Sequence, residues 1–557
     1  MSISLSRRKL LAAFLTAPAA TLLGCGGGFG SSLPKQGSVL GASSPIGHQL
    51  RNGFRPQPAG NKWREHDVVI VGGGMAGLSA AWRLQSLGIE DIVVLELEPR
   101  IGGTSASGQA ELARYPWGAH YVPAPMAHNR ALVALFDELG LIEEFDDAGE
   151  PIVGEQFLCR DPDERLFVNG TWHEGLYPFF GEDRAQWDRF QEEIAAWVSW
   201  RDEDGRRAFT LPTAACSHAE ELRALDEQTM ADWMTERSFD SPRLQWLVNY
   251  CCKDDYGLTV EQTSAWAGLF YFASRVAHAG GDPQALVTFP EGNGRFIRHF
   301  EDKLDGKIHT GMAVSEIRPL GSPGPDDAVE PARPYRREVI AVSHDGSDVR
   351  GYRARNVIFA APQFLAPYLI ADLPEPRRQA TREFEYGVWM VANLHLSNRP
   401  EEDAFPLAWD NVLYDSKSLG YVVATHQRNL EYGPTILTYY HPLCDDDPSV
   451  ARQRLLDLSW EDCAEIVMAD LQTAHPQIRN LTTQLDVMKW GHAMIRPRPG
   501  FFFGPARRAA ARPFDGVHFA NTDLSGVALM EEALHHGVRA AEEVATANGK
   551  SFASLIG

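Results

Sequence analysis

Asp67–Ser105 reads DVVIVGGGMAGLSAAWRLQSLGIEDIVVLELEPRIGGTS, and this stretch decides the fold. The apolar run Val68–Val71 suits a buried parallel strand. Gly72, Gly74 and Gly77 follow. Leu78, Ala81, Trp82 and Leu84 then recur at helical spacing until Gly88 stops the helix. A second apolar run, Ile92–Leu95, ends at Glu96, nineteen residues after Gly77. Strand, glycine turn, helix, strand and acid together form a βαβ unit with a dinucleotide fingerprint. In such a unit Gly72 makes the tight turn, Gly74 lets backbone approach a diphosphate, and Gly77 lets helix pack on strand. The diphosphate lies at the helix N-terminus, where free N–H groups and the dipole favour an anion, and Glu96 accepts hydrogen bonds from a ribose.

The rest of the chain sets outer bounds. Its 557 residues are 44% hydrophobic and 23% charged, the balance of a globular protein larger than one small domain. A net charge of −22 argues against a nucleic-acid partner, whose backbone needs a basic surface. It is compatible with a cationic small substrate, although surface acid ordinarily serves solubility. Near the start, Ser6-Arg7-Arg8-Lys9 precedes an apolar stretch, Leu10–Leu23, too short to span a membrane comfortably. Leu22-Leu23-Gly24-Cys25 resembles the bacterial lipoprotein cleavage box. Residues 1–24 are therefore expected to be a twin-arginine lipoprotein signal, with a lipid anchor at Cys25. That implies partnership with the twin-arginine export machinery and a periplasmic or outer-surface location. Residues 25–65, rich in Gly, Ser and Pro, read as a flexible tether. The seven cysteines show neither CxxC nor zinc spacing, so no metal site is expected.

Along the chain, Tyr115–Tyr121 is an aromatic segment, Ala127–Phe145 is expected to be helical, and Asn169-Gly170 marks a hairpin turn. Arg184–Ser199 and Ser217–Arg237 have amphipathic helical patterns, and Asn249–Gly257 reads as a capped loop turn. Ile308–Ile317, Val339–His344 and Val357–Phe359 are expected strands, with a polar loop over Gly321–Arg337. Val388–Leu396, Gly420–Thr425 and Thr435–Tyr440 read as a second, aromatic-rich sheet. Ser459 starts a capped helix, and Leu529–Ala547 forms the last one.

Three separated blocks resemble the FAD-dependent flavin amine oxidase superfamily. They are VVIVGGGMAGLSAAWRL with VVLELEPRIGGTS, then HTGMAVSEI with NVIFAAP, then VHFANTDLSGVALMEEALHHGVRAAEEV. The resemblance is closest to exported bacterial proteins like polyamine oxidase or spermidine dehydrogenase. It implies an α/β fold: a Rossmann-like FAD-binding domain interrupted by an α+β substrate domain with a mixed or antiparallel sheet. FAD-binding parts are expected at 66–150, 289–365 and 491–557, and substrate-domain parts at 151–288 and 366–490. It also implies a noncovalent FAD, since the C-terminal block has no Cys before its helix. Gly72, Gly74, Met75, Ala76 and Gly77 then form the diphosphate turn, with Glu96 at the ribose. Arg100, Gly102, Gly103 and Thr104 form a second phosphate and flavin loop. Val314 meets adenine, Ala361 follows the middle strand, Asp523 lies by the ribityl chain, and Leu529 opens the last helix toward the isoalloxazine. Two departures stand out. Thr104 occupies a position where many members have Arg. The lysine that many members place near flavin N5 is replaced by Met390 or Val391. That leaves open oxygen or another carrier as the electron acceptor.

The implied reaction is hydride transfer from an amine to flavin, which needs an apolar, water-poor slot. Trp490, His492 and Tyr421 are catalytic candidates. Asp254, Asp255, Tyr256, Trp409 and Tyr440 are substrate-binding candidates, the acids serving a second ammonium of a polyamine. Two rivals remain. A desaturase of an isoprenoid or porphyrin-type substrate would have a wholly apolar tunnel with no deep acid. A non-catalytic binding protein on this fold would have lost the phosphate glycines or the ribose acid.

Overall fold

The computed structural model describes residues 33–556 apart from 42, 179–180, 282, 322–334 and 402–403. The signal at 1–24 and Cys25 lie outside the described residues, as does most of the loop expected at 321–337. Among the described residues no helix is long and apolar enough to cross a membrane.

The elements that build the site are β1 (Val39–Gly41), α1 (Ser44–Arg51), β2 (Trp63–Val71), α2 (Met75–Ser86), β3 (Ile92–Leu95), β4 (Glu164–Val168), β5 (Thr171–Glu174) and α3 (Pro242–Tyr256). After them come β6 (Ile308–His309), β7 (Met312–Pro319), β8 (Arg337–Ser343), β9 (Val349–Phe359), β10 (Tyr386–Leu396), β11 (Asp410–Leu413), β12 (Tyr421–Val423) and β13 (Thr435–Pro442). The last of them are α4 (Pro448–Asp457), β14 (Thr482–Ile495), β15 (Val517–Phe519) and α5 (Met530–Ala547).

The first sheet has the order β6-β3-β2-β9-β8-β7. Its β6, β3, β2 and β9 run parallel, as the βαβ unit requires. β15 joins the far end of β9 in parallel. Both faces of β2 are covered. Val68 and Ile70 pack into a core with α2 and α5, while Val69 and Val71 pack into one on the other side with Phe359 and Phe519. A strand buried on both faces explains the unbroken apolar run.

The second sheet has the order β1-β14-β10-β13-β12-β11-β4-β5 and is mixed: β1 runs parallel to β14 and β11 parallel to β4, with the other pairs antiparallel. The β4–β5 hairpin turns at Asn169 (φ 54°) and Gly170 (φ 79°), as the Asn-Gly pair predicts. Ser459 caps its helix through reciprocal bonds with Asp462.

Several boundaries differ from the sequence reading. The helix expected over 127–145 stops at Glu138, after which Ile142–Phe145 is a strand. The helix expected over 217–237 is two, Glu220–Asp226 and Met230–Glu236, because Thr229 forms its own capping box with Asp232. Asn249–Gly257 is no loop turn: it is the end of α3, closed by Gly257 in the left-handed conformation (φ 63°). The expected boundary at 490/491 falls inside the continuous strand β14. The stretch expected as tether carries β1 and α1, because Val39–Gly41 completes a sheet edge and Ile46 and Leu50 are buried.

Candidate active site

A cavity of about 1410 Å³ lies between the two sheets. It exceeds the roughly 300–1,000 Å³ typical of a site for one small molecule, so it has room for a dinucleotide and a substrate together. One end is built by the βαβ turn. Gly72 takes φ 106°, which only glycine adopts easily. A Cβ at Gly74 would meet nothing within 4 Å, so the groove lies open against bare backbone there. α2 begins at Met75 with no side-chain cap, which leaves its first N–H groups facing the cavity.

Glu96 sits beside this turn at the end of β3. Its Oε2 accepts from the Gly73 N–H at 2.6 Å and its Oε1 from the Glu98 N–H at 2.7 Å. Burial nevertheless raises its pKa to about 7. Across the groove, Asp523 accepts from the Tyr386 hydroxyl at 2.5 Å and the Gln363 N–H at 2.7 Å, and burial raises it to about 6. α5 starts uncapped at Leu529. Next to it, Glu531 Oε1 is buried with no hydrogen-bond partner among the described residues. The bare turn, the uncapped helix ends and this orphaned oxygen all face the same groove. The free N–H donors of the turn and helix ends, with carboxylate acceptors beside them, fit a flavin dinucleotide.

The other end is aromatic and acidic. The His120 ring stacks on Tyr440 at 4.6 Å, and Trp409 and Tyr121 pack around it. Burial lowers the His120 pKa to about 4, so it is neutral at pH 7. Trp389 and Trp490 stand opposite one another on β10 and β14. Trp490 is fixed by its Nε1 donating to the Trp117 carbonyl at 2.7 Å. Two carboxyls enter this chamber. Asp254 comes from the last turn of α3 and Asp410 from the first residue of β11. Neither makes an ion pair among the described residues, and Asp410 accepts only a long 3.3 Å bond from Tyr250 among side chains. Both are enclosed by protein yet accessible from the cavity. Burial, and then the charge of Asp255, raises Asp254 to about 7. Burial, and then the charge of Asp254, raises Asp410 well above the ordinary range.

Asp255, one residue on, does something else. It takes both contacts of the Arg275 guanidinium, at 2.9 and 3.2 Å, and one from the Tyr121 hydroxyl at 3.2 Å. Their side chains are only 2% and 10% exposed. Asp255→Ala should therefore leave a buried, unpaired arginine and cost roughly 3–5 kcal/mol. Urea unfolding will read this as a lowered midpoint with unchanged slope.

The structure brings most of the expected residues to one cavity: Gly72, Gly74, Met75, Ala76, Glu96, Gly102, Gly103, Thr104, Val314, Ala361, Asp523 and Leu529 at the cofactor end, and Asp254, Asp255, Tyr440, Trp490 and His492 beyond them. Gly77 acts from behind the wall, at the contact between α2 and the Gly72 turn. Four residues are corrected. Arg100 is exposed, because the chain bends at Gly102 (φ 116°) and buries Ile101 instead. Tyr256 is core, its hydroxyl donating to the Ala267 carbonyl at 2.8 Å. Tyr421 packs in the core with its hydroxyl 2.6 Å from His475 Nε2. Trp409 buttresses the chamber from behind His120 and Tyr121 without lining it. Trp490 and His492 are on β14, and His492 stacks on Phe364 at 4.3 Å, on the side of Tyr386 and Asp523. The pleat of β10 turns the two residues to opposite faces. Val391 lines the cavity, while Met390 points into the core beneath. Arg275, Trp389 and Glu531 had no signal in the sequence beyond their residue types.

Three comparisons bear on this site. A family model described as flavin containing amine oxidoreductase matches residues 75–545. Oxidoreductase PigB of Serratia sp. (strain ATCC 39006) is 21% identical, over 92% of this chain and 78% of its own. Flavin-containing amine oxidase B of Bos taurus is 24% identical over 87% of each chain. Among solved structures, putrescine oxidase bound to putrescine superposes with a TM-score of 0.61 at 17% identity, covering 87% of this chain and 100% of its own. That last likeness is one of fold.

Proposed function

The chain belongs to the flavin containing amine oxidoreductase family, and we propose that it oxidises a diamine or polyamine by hydride transfer to a noncovalently held FAD. The observation that carries this is the pair Asp254 and Asp410, two unpaired carboxyls in an aromatic chamber. Bound FAD supplies the two-electron acceptor. The protein must present one nitrogen as free base beside it while a second stays an ammonium. The walls of His120, Tyr440, Trp389 and Trp490 exclude water and disfavour charge on the reacting nitrogen. Asp254 and Asp410 hold the distal ammonium, which offsets the cost of burying them. Glu96 accepts from the ribose, and the open backbone at Gly74 takes the diphosphate. Val391 in place of a lysine at the cavity wall favours a carrier other than oxygen as the final acceptor. The motif order over residues 6–25 supports export by the twin-arginine route and an anchor at Cys25. The desaturase reading is disfavoured by the same two acids, since it calls for a wholly apolar tunnel.

The test is an anaerobic titration of the purified holoprotein. Diamines should bleach the flavin band at lower concentration than monoamines of equal length. Failure of every amine to bleach it sinks the proposal. The pH dependence has a definite sign. Asp254, raised to about 7, binds an ammonium only when ionised. The dissociation constant for a diamine should thus fall as pH rises from 6 to 8, with protons released on binding. Calorimetry in two buffers of different ionisation heat will measure both.

A further inference from the structure

Residues 36–41 and 43–51 lie before the first residue matched by the family model, and they fasten to both halves of the molecule. On one side β1 pairs with β14, and Ser38 Oγ donates to Asp486 at 2.8 Å. The approach is close enough to need glycine. A Cβ at Gly37 would stand 2.0 Å from the Leu485 carbonyl oxygen. On the other side, Ile46 and Leu50 of α1 pack into a small core with Ala313 and Val342, next to Val314. The Ser43 N–H and hydroxyl both donate to Glu98 at 2.7 Å, two residues from the ribose acid. His344 Nε2 lies 2.9 Å from the same hydroxyl. Between these fastenings, Val39, Gly41, Ser43, Gly47, His48 and Arg51 line the cavity. Burial, and then the charge of Arg452, lowers the His492 pKa to about 4, so the fixed positive charge on this wall is that of Arg51 and Arg452.

We infer that this segment is a strap that forms part of the cofactor site. It roofs the groove from Glu96 to His492, and it holds a dinucleotide by closing the side through which the adenosine and diphosphate would leave. The guanidinium groups of Arg51 and Arg452 suit an anionic diphosphate in this cavity. This rests on the flavin reading of the groove. The prediction is kinetic. Loosening the strap should speed FAD release while the apoprotein keeps its fold, because both sheets have their own cores.

Two full-length variants test it. Gly37→Val dislodges β1, and Ile46→Ser combined with Leu50→Ser undocks α1. Each should release FAD about tenfold faster or more, the change that ~1.4 kcal/mol makes. Release is followed by the rise in flavin fluorescence after dilution, and the apoprotein melt is followed by circular dichroism. Unaltered protein supplies a check that needs no variant: adding FAD to apoprotein should slow hydrogen exchange at 43–51. Unchanged release rates from variants with a displaced strap, or exchange at 43–51 indifferent to FAD, would overturn the inference. Native protein that takes up no flavin at all would instead sink the reading beneath it.

Discussion

Asp410→Asn is expected to raise KM for a diamine about 10²-fold or more, while kcat/KM for a monoamine stays near its native value. The amide keeps the shape of the side chain and removes the charge that meets the distal ammonium. A monoamine never makes that contact. The same variant should be more stable than the native apoprotein at pH 8. The pKa of Asp410 in the folded state lies above its unfolded value, raised by burial and by Asp254. Its contribution to stability is therefore full below the ordinary carboxyl range and is lost as pH rises through its folded pKa. At pH 8 the folded state must either keep a proton that the unfolded chain has given up or carry a buried, unpaired charge, and asparagine does neither. A gain in thermal midpoint at pH 8 that shrinks at pH 4, joined to a loss of diamine affinity, is the pattern that distinguishes a binding acid from a structural one. Equal losses for diamine and monoamine would contradict the assignment.

Gly77→Val should abolish flavin binding altogether. A Cβ at this position would stand 1.9 Å from the Gly72 carbonyl oxygen and 3.3 Å from the Ala360 side chain. Neither is the free end of a flexible group. The turn that holds the open groove at Gly74 must be pushed off the helix, at a cost beyond the ~1–3 kcal/mol of ordinary overpacking. The purified variant should show no flavin absorbance and a lower unfolding temperature. Gly74→Ala makes the contrast. Its Cβ points into open groove, so the apoprotein should melt normally and only flavin affinity should fall. If both variants retain flavin, the groove does not hold it.

The cofactor half was legible because its requirements fall on single residue types at fixed spacing. Left-handed backbone at Gly72, bare backbone at Gly74 and contact at Gly77 each demand glycine, and Glu96 must end a strand. The chamber was only partly legible. Adjacent residues on a helix point about 100° apart, so Asp254 stands in the cavity without an ion partner while Asp255, also at the cavity wall, is taken up by Arg275. Nothing local distinguishes them. An aromatic in an apolar run gives no sign of which way it faces, which is why Tyr440 lines the chamber while Tyr421 and Tyr256 are core. Met390 and Val391 could be told apart only by the pleat of β10. Arg100 was misread because the bend at Gly102 is set by backbone the sequence does not show. The strap was invisible for another reason: a three-residue strand carries almost no periodic signal.

Ser38 and Asp486 are 448 residues apart in the chain and 2.8 Å apart in the fold. During synthesis from the N-terminus, Ser38 thus emerges long before it can be seated, because its docking strand β14 comes far later in the chain. A contact of such long range forms late, after the local helices and hairpins. Asp523 and α5, which complete the dinucleotide groove, follow β14 in the chain. The groove and its roof are therefore closed by the same late part of the chain, and the side entrance stays open to a bulky cofactor until that part arrives.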